Sequence, residues 1–295
     1  MPGSPTQIQP NCSDFKSVAR ALTIVENDLA GADDLLKGLT FAKNTPVIGI
    51  TGPPGAGKST LVNVLISHLV AGDKKIAVLA IDPTSPFNFG SLLGDRIRMA
   101  THFNHPDVFI RSIAARGSLG GLSAKTIEMT DVLRAAGFDY VLIETVGVGQ
   151  SEVEIAGLAD ITFLVLVPES GDEVQNIKSG LMEIADAYIV NKADRADANL
   201  FANNLAKTIH QSTGNIPIFK TVATKDEGIA QVAGYILSVK NKKNSRKTFL
   251  LAEKAYRIIQ QKRMMGIDKQ KLLQDLTGAL LNGDFNLYAF VENYF

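Results

Sequence analysis

Cysteine is nearly absent from this chain: Cys12 is the only one in 295 residues. One thiol cannot close an intrachain disulfide or build a cysteine-based zinc cluster, which fits a reducing compartment. An excess of charge of one sign is also missing, since Lys and Arg total 30 and Asp and Glu total 30. Such a balance leaves no long-range field to gather nucleic acid or an anionic membrane surface, so neither is expected as a partner and recognition has to be local. Long hydrophobic runs are lacking as well. The longest, Ile161 to Val167, has the length of a strand and falls far short of the ~18 residues that a bilayer span requires. The opening MPGSPTQIQPNCSDF is polar and shows no basic-then-apolar leader, so a cytoplasmic protein is the expectation. With 45% apolar and 20% charged residues, a wholly disordered, collagenous or coiled-coil chain is excluded. The length suits roughly two domains, with an α/β or α+β body as the default.

Within that frame, Asp14 to about Leu39 carries apolar residues at helical spacing (Phe15, Val18, Leu22, Val25, Leu29, Leu35, Leu36, Leu39), with Ser13 or Asp14 as N-cap. Residues 1–45 therefore read as a helical arm. From Pro46 the texture changes to short continuous apolar runs: Val47–Ile50, Ile76–Ile81, Tyr140–Ile143, Ile161–Val167, Tyr188–Val190 and a weaker Ile216–Phe219. Helix-length amphipathic stretches separate most of them. Uninterrupted apolar strands alternating with helices predict a doubly wound, mostly parallel α/β sheet covered on both faces over residues 46–240. The basic run KNKKNSRK, Lys240 to Lys247, reads as a solvated linker. Two helical stretches, about 248–265 and 268–282, and an aromatic end make up a C-terminal region over 241–295.

The strand Val47–Thr51 runs into Gly52-Pro53-Pro54-Gly55-Ala56-Gly57-Lys58-Ser59-Thr60, a complete G-x-x-x-x-G-K-[ST], and an apolar-periodic helix follows. Glycines let backbone N–H groups turn inward around a polyphosphate, and the helix N-terminus adds partial positive charge. Lys58 would reach the β- and γ-phosphates, and the Ser59 hydroxyl would face Mg²⁺. Later, Tyr188–Val190 ends in Asn191-Lys192-Ala-Asp194. The Asp194 carboxylate can accept from N1–H and the exocyclic N2–H₂ of guanine, a donor pair adenine lacks, so the pattern selects GTP over ATP. Lys192 would cover the base with its stem, Asn191 would tie this loop to the phosphate loop, and Thr221-Val-Ala223-Thr224-Lys225, with Ala223 and Thr224 as its candidate contacts, sits where a loop touching the guanine carbonyl would lie.

In ETVGVGQ, Glu144 closes an apolar strand three residues before Gly147, which puts a carboxylate in reach of the Mg²⁺ shell and a glycine N–H in reach of the γ-phosphate. Val148 follows that glycine and cannot orient a water, so unaided hydrolysis should be slow; Gln150 is a substitute. Asp82, closing another strand, and Asp95 are candidates to hold metal-bound water or to move with nucleotide state. The catalytic set is thus Lys58, Asp82, Glu144 and Gly147, and the metal set Ser59, Asp82, Asp95 and Glu144. Arg96, Arg98, Arg111 and Arg116 are available cations, each more simply a surface arginine. His102 and His105 are spaced to meet, but no third ligand is visible.

GPPGAGKST, AIDPTSPFNFGSLLGDRIRM, IRSIAARGSLGGL, ETVGVGQSE, VPESGDEVQNIKSGLMEIAD and NKAD resemble, in order and spacing, the MeaB/ArgK family of P-loop GTPases, also called LAO/AO transport ATPases, whose human relative is the methylmalonic aciduria type A protein. The resemblance is dense from Val47 to Asp194. It implies a homodimeric chaperone that gates cofactor loading of an adenosylcobalamin-dependent acyl-CoA mutase, of the methylmalonyl-CoA mutase type, and protects that enzyme. It further implies that Asp172 to Lys178 form an extra switch and that the C-terminal helices supply the dimer contact. Pro168-Glu169-Ser170 and Ala114-Ala115-Arg116 depart from the small and Ser/Pro-rich residues of relatives. Two other functions compete: a kinase or transport ATPase, which Asp194 argues against, and a nickel or cobalt metallochaperone GTPase, which a single distant cysteine argues against.

Overall fold

A computed structural model describes residues 9–82, 99–114, 124–145, 155–170, 185–212, 216–238, 247–281 and 285–294. The chain divides into two compact units, residues 1–250 and residues 251–295.

The first unit is organised on seven parallel strands: β1 (Val47–Thr51), β2 (Ile76–Asp82), β3 (Val108–Ala114), β4 (Tyr140–Glu144), β5 (Ile161–Leu166), β6 (Ala187–Val190) and β7 (Ile218–Lys220), in the spatial order β3-β2-β4-β1-β5-β6-β7. This is the doubly wound arrangement that the apolar runs predict. Successive side chains along β5 and β6 enter opposite cores. Phe163, Val165, Ala187 and Ile189 pack with α3 (Lys58–Val70) and α6 (Ile229–Ser238) through Leu61, Leu65, Ile66, Val232 and Ile236. Leu164, Leu166, Tyr188 and Val190 pack with α5 (Ala198–Ser212) through Phe201, Leu205 and Ile209. Because both faces are covered, the strands can be continuously apolar. Aspartates tie strand starts at the amino edge: Asp160 Oδ2 accepts from the Val47 N–H at 2.8 Å, and Asp186 Oδ2 from the Thr162 N–H at 2.9 Å.

Strand β3 departs from expectation. Its run VFIRSIA is broken by Arg111 and Ser112, so apolar continuity does not mark it. An edge strand with one paired side tolerates those residues, and among the described residues it pairs with β2 alone. The last strand is likewise displaced to Ile218–Lys220. The N-terminal arm consists of α1 (Phe15–Glu26), capped by Asp14, and α2 (Ala32–Lys37). Helix α1 packs on α4 (Ala124–Ala135) and buries Val18, Ala21, Leu22 and Val25. Phe15 sits against Phe109 and Phe138, and Arg111 pairs with Glu26 at 2.5 Å.

The second unit holds most of α7 (Lys247–Met264), then α8 (Lys269–Leu280), capped by Asp268, and α9 (Leu287–Val291), capped by Asn286. Among its described residues α8 and α9 bury none fully, and Leu281 and Tyr288 are 83% and 84% exposed. No helix among the described residues is long and apolar enough to cross a membrane.

Candidate functional site

The carboxyl ends of β2, β4 and β1 lie side by side in that order, and the phosphate-loop sequence leaves β1. Gly52 opens the loop at φ +142°, where a Cβ would collide with the Val165 carbonyl oxygen, so no other residue fits. Gly57 closes it at φ +84° beside Asn191 and stands as N-cap of α3 with no side-chain cap bond. A helix N-terminus capped this way, by a glycine without a side chain, is the kind of terminus that receives an anion. Lys58 is buried, and its Nζ donates to the carbonyls of Gly52 at 2.8 Å and Pro53 at 2.9 Å. The ammonium is held inside the loop by the same atoms that curve it. Ala56 is fully buried, while Pro54 and Gly55 form the exposed rim.

Glu144 ends β4, in register with Ile50 of β1 and Ala80 of β2. Ser59 Oγ donates to Glu144 Oε1 at 2.5 Å, and both residues are buried. A hydroxyl and a carboxylate, both hard oxygen donors, therefore converge beside the phosphate loop. That donor chemistry suits Mg²⁺, which prefers oxygen ligands and few protein contacts. Asp82 ends β2 two residues beyond the one paired with Glu144, so its backbone reaches the same edge; its side chain lies outside the described residues. Asp95, Gly147, Val148, Gln150, Asp172 to Lys178, Arg96, Arg98 and Arg116 lie outside them too.

On the other side of β1, β6 delivers Asn191. Its Nδ2 donates to the Ala56 carbonyl at 2.8 Å, and its Oδ1 accepts from Thr221 Oγ1 at 3.1 Å and from the Ala223 N–H at 3.2 Å. One buried amide thus joins the phosphate loop to the turn Ala223–Lys225. Lys192 follows in the left-handed region at φ +55°, which swings the chain away from the sheet, and Thr224 is exposed on the turn. Asp194 stands at the open rim, where its Oδ2 accepts from Lys225 Nζ at 3.0 Å. The Lys225 ammonium holds the Asp194 carboxyl below the usual carboxylate range, and Asp194 in turn raises the Lys225 ammonium. Next to it, Arg195 pairs with Glu169 of the short turn after β5. Neither the pairing of Lys225 with Asp194 nor that of Arg195 with Glu169 is legible in the sequence; a partner 31 residues away, as Lys225 is from Asp194, leaves no local periodicity to read.

The two histidines do not converge. His102 is buried against α3, with Nε2 donating to the Asn63 carbonyl at 2.9 Å, while His105 Nδ1 accepts from the Asp107 N–H at 3.2 Å. Among the described residues no three His, Cys, Asp or Glu side chains gather as a metal-holding group. Arg111, considered as a cation for the site, is committed to Glu26 of the arm.

Comparison with known proteins adds the following. The model of a family described as "Methylmalonyl Co-A mutase-associated GTPase MeaB" matches residues 18–279. A Pyrococcus horikoshii protein whose name designates it a GTPase is 43% identical over 293 residues, covering 94% of this chain and 92% of its own. The GTPase ArgK of Escherichia coli is 42% identical over 183 residues, 60% of this chain and 55% of that protein. Among solved structures, one named LAO/AO transport system kinase superposes with a TM-score of 0.65 at 24% identity, covering 96% of this chain and 92% of its own, which shows a shared fold.

Proposed function

This chain belongs to the MeaB family of P-loop GTPases, and from that premise we propose that it acts as a nucleotide-gated chaperone of an adenosylcobalamin-dependent acyl-CoA mutase, as a homodimer. In this reading Gly52 to Thr60 wrap the triphosphate, and Lys58 leaves the Gly52 and Pro53 carbonyls for the β- and γ-phosphates. Asp194 accepts the two guanine N–H donors, with Ala223, Thr224 and the Lys192 stem bordering the base. Ser59 and Glu144, with Asp82 and Asp95, would hold Mg²⁺, which supplies neutralisation of charge on the phosphate oxygens. Val148 offers a water no hydrogen bond, so hydrolysis in the absence of a partner proceeds at about 10⁻⁴–10⁻² s⁻¹, in the range of unassisted GTPases. A mutase that accelerates this step couples its own state to Gly147 and to Asp172 to Lys178.

The observation carrying the reading is the Asn191 amide, bonded at once to the phosphate loop and to the Ala223 turn. Occupation of either half of the nucleotide site is thereby felt by the other. Calorimetry with Mg²⁺ should give heat with GTP and GDP and none with ATP at the same concentration. Equal ATP affinity would restore the kinase or transport-ATPase reading. A cobalamin mutase should then be retained by the chain loaded with a GTP analogue and with GDP to different extents; equal or absent retention would remove the chaperone role.

A further inference from the structure

Two threonines join the roots of the phosphate loop and of the Glu144 segment. Thr51 is the last residue of β1, directly before Gly52, and Thr145 directly follows Glu144. They are 0% and 1% exposed. The Thr145 N–H donates to the Ile50 carbonyl at 3.1 Å, which carries the β1–β4 ladder one residue past the end of β4, and Thr145 Oγ1 donates to Thr51 Oγ1 at 2.9 Å. Thr145 is therefore fastened to β1 by its backbone and by its side chain, at the residue next to the carboxylate that meets Ser59.

Valine has nearly the shape of threonine, suits a buried strand at least as well, and needs no partner for a hydroxyl. Two valines here would satisfy packing alone. We infer that Thr145, through its hydrogen bond to Thr51, is a positioning residue: it fixes the backbone behind Glu144 so that the carboxylate is presented to the Ser59 hydroxyl in the geometry Mg²⁺ needs. A six-coordinate ion with short, near-ideal ligand directions tolerates little drift in a carboxylate, so a tie one residue away acts on metal affinity while leaving nucleotide contacts made elsewhere in place. The inference rests on the Mg²⁺ role proposed above for Ser59 and Glu144.

The test compares wild type, Thr51→Val, Thr145→Val and the double variant in the full chain. Two quantities are read: melting temperature without nucleotide, and the Mg²⁺ concentration giving half-maximal stabilisation of bound N-methylanthraniloyl-GDP. Each single change strands a buried hydroxyl and should lower the melting temperature by several degrees, whereas the double change should return it to the wild-type value or above. The Mg²⁺ requirement should rise on the order of 10-fold in Thr145→Val and stay raised in the double variant. If the double variant recovers the wild-type Mg²⁺ requirement along with its melting temperature, the pair serves packing only and the inference is overturned. Should the single variants fail to fold, the double variant alone decides. Wild type that binds the GDP analogue with no dependence on Mg²⁺ would instead overturn the metal assignment of Ser59 and Glu144, a separate result.

Discussion

In the proposed function Lys58 and Asp194 serve opposite ends of the nucleotide, and they are held by opposite means. The ammonium of Lys58 is buried and bonded to two loop carbonyls, so its removal deletes both a charge for phosphate and a brace of the loop. Lys58→Ala should lower GTP affinity by ~10²-fold or more, measured by calorimetry with Mg²⁺ present. Asp194 is exposed and paired with Lys225. Its depressed pKa means that the accepting, ionised form persists above that value and is lost only as pH falls through it, so guanine binding should hold constant down to the ordinary carboxylate range. Asp194→Asn replaces an acceptor by a group that also donates, and should weaken GTP on the order of 10²–10⁴-fold while the preference over ATP collapses. Retained GTP preference in that variant would refute the guanine contact. P-loop residues and Asp194 stand out in the sequence as candidates because a fixed spacing carries them. Lys225, Thr51 and Thr145 do not, because each acquires its meaning from a partner on another strand or loop.

At the scale of elements, the strands announce themselves by apolar continuity, and the same rule hides β3. Arg111 interrupts the run, and its reason lies in α1, where Glu26 receives the guanidinium. The arm is thus built into the first unit through a charge pair, an aromatic cluster and a fully buried helix face. Leu22, 0% exposed, tests this: Leu22→Ala should cost about 2–5 kcal/mol, visible as a lowered melting temperature, with nucleotide affinity at the folded protein unchanged. A surface arm would show a far smaller effect. Helix α1 itself was readable from its spacing of Val18, Leu22 and Val25; what it covers was not, since α4 begins more than 95 residues later.

At the scale of the whole molecule, exposed apolar surface among the described residues is distributed unevenly. Residues 251–295 leave Leu251, Tyr256, Ile259, Met264, Met265, Leu273, Leu280, Leu281, Leu287, Tyr288 and Val291 exposed in a unit of 45 residues. A solvated helical unit of that kind is costly as a lone chain and supports the homodimer of the proposed function. Substitution of Leu281 and Tyr288 together by Glu should halve the mass seen by sedimentation equilibrium and leave the melting temperature of the first unit and its GTP affinity as they are. An unchanged mass would place the dimer contact elsewhere.

Short-range regularities were decided by the sequence alone. Continuous apolar runs dictate covered parallel strands, and G-x-x-x-x-G-K-[ST] and N-K-x-D single out the turn and the carboxylate to which the proposed function gives phosphate and base, because local sterics and hydrogen-bond complementarity act within a few residues. Pairings across the sheet were decided only by the tertiary structure: Glu144 on Ser59, Asn191 between Ala56 and Ala223, Thr145 on Thr51, Arg111 on Glu26. Strand order is a property of how the layers pack, and nothing in a linear spacing of 32 to 135 residues encodes which groups that packing brings within 3.2 Å.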